Sequence, residues 1–275
     1  MEMNGSVLYL KQVAMHDLPT FFWDFENFPS EGELFELKGQ EAKHGIKVLR
    51  LRPGNQIRLI NGKGFVAICQ IVSIENNKLI LKTVHQYQTP SDLCPVILGA
   101  SLIKSDKMDL IIKKCTEIGV QEIFPIYSTY SIVKMDAKKA KKRLQRWQEI
   151  AKQSLKQCKG TYLTQINMPL PFSDFLELSN GLQGAKIILW EQEENSSWLY
   201  KAWSQQGKKR PVTLLIGPEG GFSKTEVQKA SENGFMPASL GKRIYRAETA
   251  AIGTSFLFRQ WLDNLDSEYG NRSLM

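Results

Sequence analysis

The sequence predicts a chain in two parts, a small all-β barrel or sandwich over residues 1–88 and a parallel α/β domain over residues 89–275. Three observations carry this. Short β-type runs, VLYL, QIRLI, FVAICQIV and KLILKTV, are broken by the turn pairs Pro53-Gly54, Asn61-Gly62 and Asn76-Asn77, the spacing of a small β fold. The stretch from Gln88 to Cys94, with Pro90, Ser91 and Asp92, has the composition of a linker. Beyond it, apolar runs alternate with helix-like segments, the signature of a parallel sheet covered by helices.

Asn61-Gly62 is the strongest hairpin signal, because both residue types tolerate the positive φ of a two-residue turn. Residues 17–36, rich in aromatics and acids, predict no element. In the second part VILGASLI reads as a buried strand. Ser105 can then cap a helix whose stripe is Met108, Ile111, Ile112, Cys115 and Ile118, stopped by Gly119. EIFPIY predicts the next strand, and Lys138–Gln157 a helix that buries Leu144, Trp147, Ile150, Ala151 and Leu155. KIILW and VTLLI are further strands, separated by a helix over Ser197–Gln206. Trp190, Trp198, Trp203 and Trp261 fit core or interface positions.

The formal charge of +8 is unevenly spread, since residues 134–160 hold ten Lys/Arg against Asp136 and Glu149. Such a block suits a polyanion, because cations that neutralise phosphates release condensed counterions; from charge alone a solvated helix face serves equally well. Cys69, Cys94, Cys115 and Cys158 stand far apart, with no C-x-x-C pair and no cluster among His16, His44 and His85. That pattern argues against a metal site or a disulfide framework. The cysteines read as small buried hydrophobes, and His44 as a packing or capping residue. No run approaches the roughly 18 apolar residues of a membrane span, so the expectation is a cytoplasmic protein that binds no membrane.

The chemistry is concentrated near the end. After VTLLI the chain reads Gly217-Pro218-Glu219-Gly220-Gly221-Phe222, followed by Ser223-Lys224-Thr225-Glu226, a capping box that opens a helix. A glycine turn at the carboxyl end of a buried strand is where open α/β sheets take ligands, with no Cβ in the way. On this reading Gly220→Val blocks the ligand. A second turn follows, Leu240-Gly241-Lys242-Arg243-Ile244-Tyr245-Arg246-Ala247-Glu248-Thr249-Ala250-Ala251.

This pair of loops resembles the RsmE family, the 16S ribosomal RNA uridine-N3 methyltransferases of the SPOUT superfamily, with Tyr245 where leucine is usual. Upstream, Lys104-Ser105-Asp106-Lys107-Met108-Asp109 with Thr116-Glu117-Ile118-Gly119-Val120, and His44 with Lys47-Val48-Leu49-Arg50, look like further elements of that family. The resemblance implies a barrel similar to PUA domains, followed by a SPOUT α/β domain with a trefoil knot. It also implies S-adenosylmethionine as cofactor, 16S rRNA in the small subunit as substrate, a homodimer and no metal.

It further implies a cofactor site made by Ile216, Gly217, Pro218, Glu219, Gly220, Gly221, Leu240, Gly241, Arg243, Ile244, Tyr245, Glu248, Thr249 and Ala250. Arg246 is the first candidate to stabilise charge on the uracil ring, followed by Arg243. Glu219 and Glu248 could aid proton removal or hold the cofactor's amino end, although Glu248 also suits the helix dipole. Lys47, Arg50, Lys104, Lys138, Lys139, Lys141, Lys142 and Arg143 are the expected RNA contacts. The opening VLYL, in place of an Arg-Phe-[FY] arm, and Lys152-Gln153-Ser154-Leu155-Lys156, in place of E-Q-S-x-R, depart from the family. Other readings are a SPOUT enzyme acting on tRNA or a ribose hydroxyl, and a non-catalytic ribosome-assembly factor.

Overall fold

The computed structural model describes residues 18–190 and 197–272; the VLYL run at 7–10 lies outside them. The chain divides into two compact units. The first contains residues up to Asp92 together with Leu155–Leu163. Its sheet has strands β1 (Thr20–Phe22), β2 (Leu34–Leu37), β3 (Gln56–Ile60), β4 (Phe65–Glu75) and β5 (Lys78–Gln88), in the order β1-β3-β4-β5-β2. Alternation along the strands turns Ile57 and Leu59, Ala67, Cys69 and Ile71, and Leu79 and Leu81 into one core cluster.

The stretch with no predicted element supplies two strands of this sheet, β1 parallel to β3 and β2 antiparallel to β5. Its aromatics gather around Trp23, whose ring lies 5.0 Å from Phe25 and Phe35 and 6.1 Å from Phe28. The acids obscured this pattern because they turn outward, Glu26 to Lys63 and Glu31 to His85.

The turns also exchange roles. Asn61-Gly62 is not a two-residue turn, since Asn61 Oδ1 accepts from the Lys63 and Phe65 N–H groups and holds open a loop with Gly62 and Gly64 at positive φ. The two-residue turn is Asn76-Asn77, with φ of 49° and 62° and Glu75 paired to Lys78. Asparagine visits this left-handed region more readily than other residues with a Cβ. Residues 155–163 close the unit: Leu155 packs with Phe22, Ile60, Val66 and Ile68, and Lys156 Nζ lies 2.6 Å from Glu41.

The second unit contains residues 93–154 and 164 onward. Its strands are β6 (Cys94–Ser101), β7 (Val120–Tyr127), β8 (Gln165–Ile166), β9 (Leu170–Pro171), β10 (Ala185–Leu189), β11 (Ser197–Trp198), β12 (Val212–Ile216) and β13 (Met236–Ser239). The sheet runs β11-β13-β10-β12-β6-β7-β8, with β9 beside β7, and the pairings are parallel. Strands β6, β7, β10 and β12 fall on the predicted apolar runs.

Helix 105–118 buries Met108, Ile111, Ile112 and Cys115 and stops at Gly119, φ 84°. Its cap position is Lys104, however, and the Ser105 hydroxyl instead accepts from Arg143. Helix 137–158 buries Trp147 and Ala151 and is tied to helix 105–118 by Asp109, which accepts from Arg146 Nε at 2.9 Å and from Trp147 Nε1 at 3.2 Å. The segment predicted as helix 197–206 begins with β11, and the helix itself is Leu199–Gln205. Trp190 and Trp203 are buried, whereas Trp198 is exposed. Trp203 stands edge-on to Phe258 at 5.4 Å and stacks on Trp261 at 5.8 Å. Each such pair adds about 0.5–1.5 kcal/mol beyond its buried area, and together they anchor helix 247–272.

Candidate active site

Three neighbouring parallel strands, β13, β10 and β12, end at the same edge of the sheet. The two glycine turns follow β12 and β13, so the strand order brings residues 217–222 and 240–246 to one place. In the first turn the Gly221 N–H donates to Pro218 O at 2.9 Å, with Gly221 at φ 70°. Ser223 and Glu226 then form the predicted capping box. Glu226 is nevertheless buried, and its second oxygen accepts the Thr129 N–H at 2.8 Å, pinning the loop after β7 to this helix start.

Between the turns lies a cleft of about 210 Å³ lined by Leu189, Ile216, Gly217, Pro218, Glu219, Gly221, Ile244, Tyr245, Arg246, Ala247 and Ala250. Size does not mark this site. Larger hollows, of about 740 Å³ beside Trp23 and about 820 Å³ beside Lys208–Arg210, lie elsewhere in their respective units. Its position at the carboxyl ends of parallel strands, where such sheets take ligands, is what singles it out.

Eight of the predicted cofactor residues, Ile216, Gly217, Pro218, Glu219, Gly221, Ile244, Tyr245 and Ala250, line the cleft, as does Arg246. Gly220, Leu240, Gly241, Arg243, Glu248 and Thr249 do not. Leu189 and Ala247 are additions. Leu189 ends β10, between the two loop-bearing strands. KIILW was legible as a strand, but its place between β12 and β13 is a tertiary fact.

The glycines differ in role. A Cβ at Gly217 would lie 3.1 Å from the Gly221 backbone, so any side chain there would force the turn to give by a few tenths of an ångström. A Cβ at Gly220 would face Tyr130, 3.2 Å from its Cβ. That removes the steric basis for blocking the ligand with Gly220→Val.

The charged groups form a small array. Lys107 Nζ lies 3.4 Å from Glu219 and 3.9 Å from Glu248. Glu248 is 8% exposed, and its Oε2 has no hydrogen-bond partner. Arg243 and Arg246 are exposed, and the Arg246 carbonyl accepts the Ala250 N–H at 2.9 Å. Lys107 was visible within the Lys104–Asp109 motif, but nothing in the sequence linked it to the glycine loops. Burial pushes the thiols of Cys69, Cys94 and Cys115 up to about 12. They stay protonated at neutral pH and offer no nucleophile; Cys158, expected to be buried, is exposed.

Of the expected RNA contacts, Lys138, Lys139, Lys141 and Lys142 are exposed along one helix, and Lys104 is exposed at the start of another. Arg143 is half-buried against Ser105. Lys47 and Arg50 are exposed in the first unit, where His44 stands edge-on to Phe21 at 6.2 Å. Among the described residues no helix is long and apolar enough to cross a membrane, and no group of three or more His, Cys, Asp or Glu residues could hold a metal ion.

A family model described as an RNA methyltransferase domain matches residues 89–257, and another described as an RNA methyltransferase PUA domain matches residues 37–84. Ribosomal RNA small subunit methyltransferase E of Bacillus subtilis is 30% identical over 228 residues, covering 81% of this chain and 88% of its own. The chain belongs to the RsmE family. A Neisseria gonorrhoeae member crystallised with S-adenosylmethionine is 28% identical, with a TM-score of 0.77 over 89% of this chain and 98% of that one. A Legionella pneumophila methyltransferase, also with its bound cofactor, is 27% identical with a TM-score of 0.79, covering 88% and 97%. The expected pairing of a PUA domain with a parallel α/β methyltransferase domain therefore holds for this RsmE-family chain.

Proposed function

We propose that the protein transfers a methyl group from S-adenosylmethionine to N3 of a uridine in the 16S ribosomal RNA of the small subunit. The observation that carries this reading is the cleft between the two glycine turns, in a chain whose solved family relatives hold S-adenosylmethionine. The residues present fit that cofactor: Leu189, Ile216, Ile244, Ala247 and Ala250 offer apolar walls, and the tight turn at Gly217 keeps side chains out of the loop. When bound, S-adenosylmethionine supplies an electrophilic methyl group on a sulfonium.

Methyl transfer of this kind needs alignment more than covalent help, so the residues act mainly by positioning and by charge. Losing the imide proton of N3 to solvent water spreads negative charge on to the flanking carbonyl oxygens, and N3 then takes the methyl group as its bond to the sulfonium sulfur breaks. Arg246 lines the cleft with an exposed guanidinium, suited to stabilising that charge. Glu219 is the lining carboxylate and suits the cofactor's amino end.

The exposed lysines of helix 137–158, with Lys104, and in the other unit Lys47 and Arg50, suit ribosomal RNA phosphates. The reading includes a trefoil knot in the methyltransferase domain, a cytoplasmic location with the ribosome, and a homodimer. Helix 247–272 leaves Phe256 and Leu257 exposed, at 53% and 40%, which favours self-association; sedimentation at micromolar concentration should return a dimer, and a monomer would count against it.

The test is methyl transfer to purified 30S particles followed by nucleoside analysis. Label is expected as 3-methyluridine in 16S rRNA. Label in a ribose methyl group or in tRNA replaces the target, and absence of label with intact RNA binding points to an assembly factor.

A further inference from the structure

We propose that Lys107 is a positioning residue that latches the two glycine loops to each other, with Glu248 as its buried counter-charge; this rests on the methyltransferase reading of the cleft. The ammonium lies 3.4 Å from Glu219 and 3.9 Å from Glu248. One carboxylate belongs to the loop after β12 and the other to the helix start that ends the second loop. Lys107 is not among the residues that line the cleft. It acts through its two partners, Glu219 on the cleft wall and Glu248 on the helix that follows the second loop.

Two further observations favour this role over an ordinary surface ion pair. Lys107 stands in the first turn of helix 105–118, where the helix dipole disfavours a cation. That cost is offset only if the carboxylates gain from the charge. Glu248 is such a group, because it is 8% exposed and its Oε2 has no hydrogen-bond partner. A carboxylate this buried is strongly disfavoured when its partner charge is removed. The two helices also meet through a buried contact of Cys115 Sγ with Ser255 Oγ at 3.7 Å.

The test compares Lys107→Met, Lys107→Arg, Glu248→Gln and the Lys107→Met/Glu248→Gln pair. Calorimetry reads S-adenosylmethionine affinity, and hydrogen exchange of the cofactor-free protein reads the loops. Lys107→Met is expected to weaken the cofactor by about tenfold or more and to speed amide exchange within residues 217–222 and 240–246. Lys107→Arg should keep both readouts near wild type. Adding Glu248→Gln to Lys107→Met should recover much of the loss, because the unpaired charge goes with it. Unchanged affinity and exchange in Lys107→Met, or a loss that Glu248→Gln leaves as large, overturns the latch. Wild-type protein that fails to bind S-adenosylmethionine overturns the methyltransferase reading instead, and the exchange comparison still decides the latch.

Discussion

Arg246→Ala is expected to lower methyl transfer to 30S particles by about a hundredfold or more, the scale of losing one preorganised donor to a developing oxyanion, while S-adenosylmethionine affinity should change little. With uridine N3 as the proposed target, the transition state would place charge on the uracil ring that the neutral base lacks. A guanidinium held in the cleft therefore favours the transition state over the ground state. The fold should survive the change, because Arg246 contributes its backbone carbonyl to the start of helix 247–272 and its side chain is exposed. Lysine should restore only part of the rate, since a point charge does not reproduce the planar fork. Single-turnover rates with saturating cofactor separate the chemical step from binding. Full activity in the alanine variant would remove Arg246 from the mechanism.

Filling the cleft is the second large effect. Ala250 lines the cleft and is only half-buried on helix 247–272, so Ala250→Phe can project a ring into a space of about 210 Å³ without overpacking the core. S-adenosylmethionine affinity is expected to fall by about a hundredfold, roughly 2.7 kcal/mol. Thermal unfolding of the cofactor-free protein should stay close to wild type. Gly220→Val provides the contrast. Its new side chain meets the exposed ring of Tyr130, and Gly220 does not line the cleft, so it should cost far less affinity. Calorimetry showing the reverse order of the two variants would relocate the cofactor to the Gly220 side of the loop.

The site was half legible for a clear physical reason. Glycine turns, a capping box and an arginine beside a helix start are local signals, readable from consecutive residues. Gly217 and Gly221 belong to such a turn and Ile244 and Ala250 follow from the family resemblance; all four line the cleft. Leu189 and Ala247, which line the cleft, and Lys107, which reaches Glu219 and Glu248, were missed because their places depend on which strands and helices become neighbours. Glu226 shows the same divide, since its capping partner lies three residues away and its second partner, Thr129, lies 97 residues upstream.

The sequence by itself determined the order of the two parts, the strands with clean alternation or continuous apolar runs, and both glycine turns, because each arises from short-range sterics and from the period of burial. The rest depended on how distant segments pack together in the tertiary structure. It recruited Thr20–Phe22 and Leu34–Leu37 into the first sheet, where outward-facing acids had masked the strands, and it joined residues 155–163 to that unit. It also put β10 between β13 and β12, which converts two turns well separated along the chain into a single cleft. Strand order is set by how the apolar faces of sheet and helices are covered together, a condition on the whole chain that no window of sequence contains.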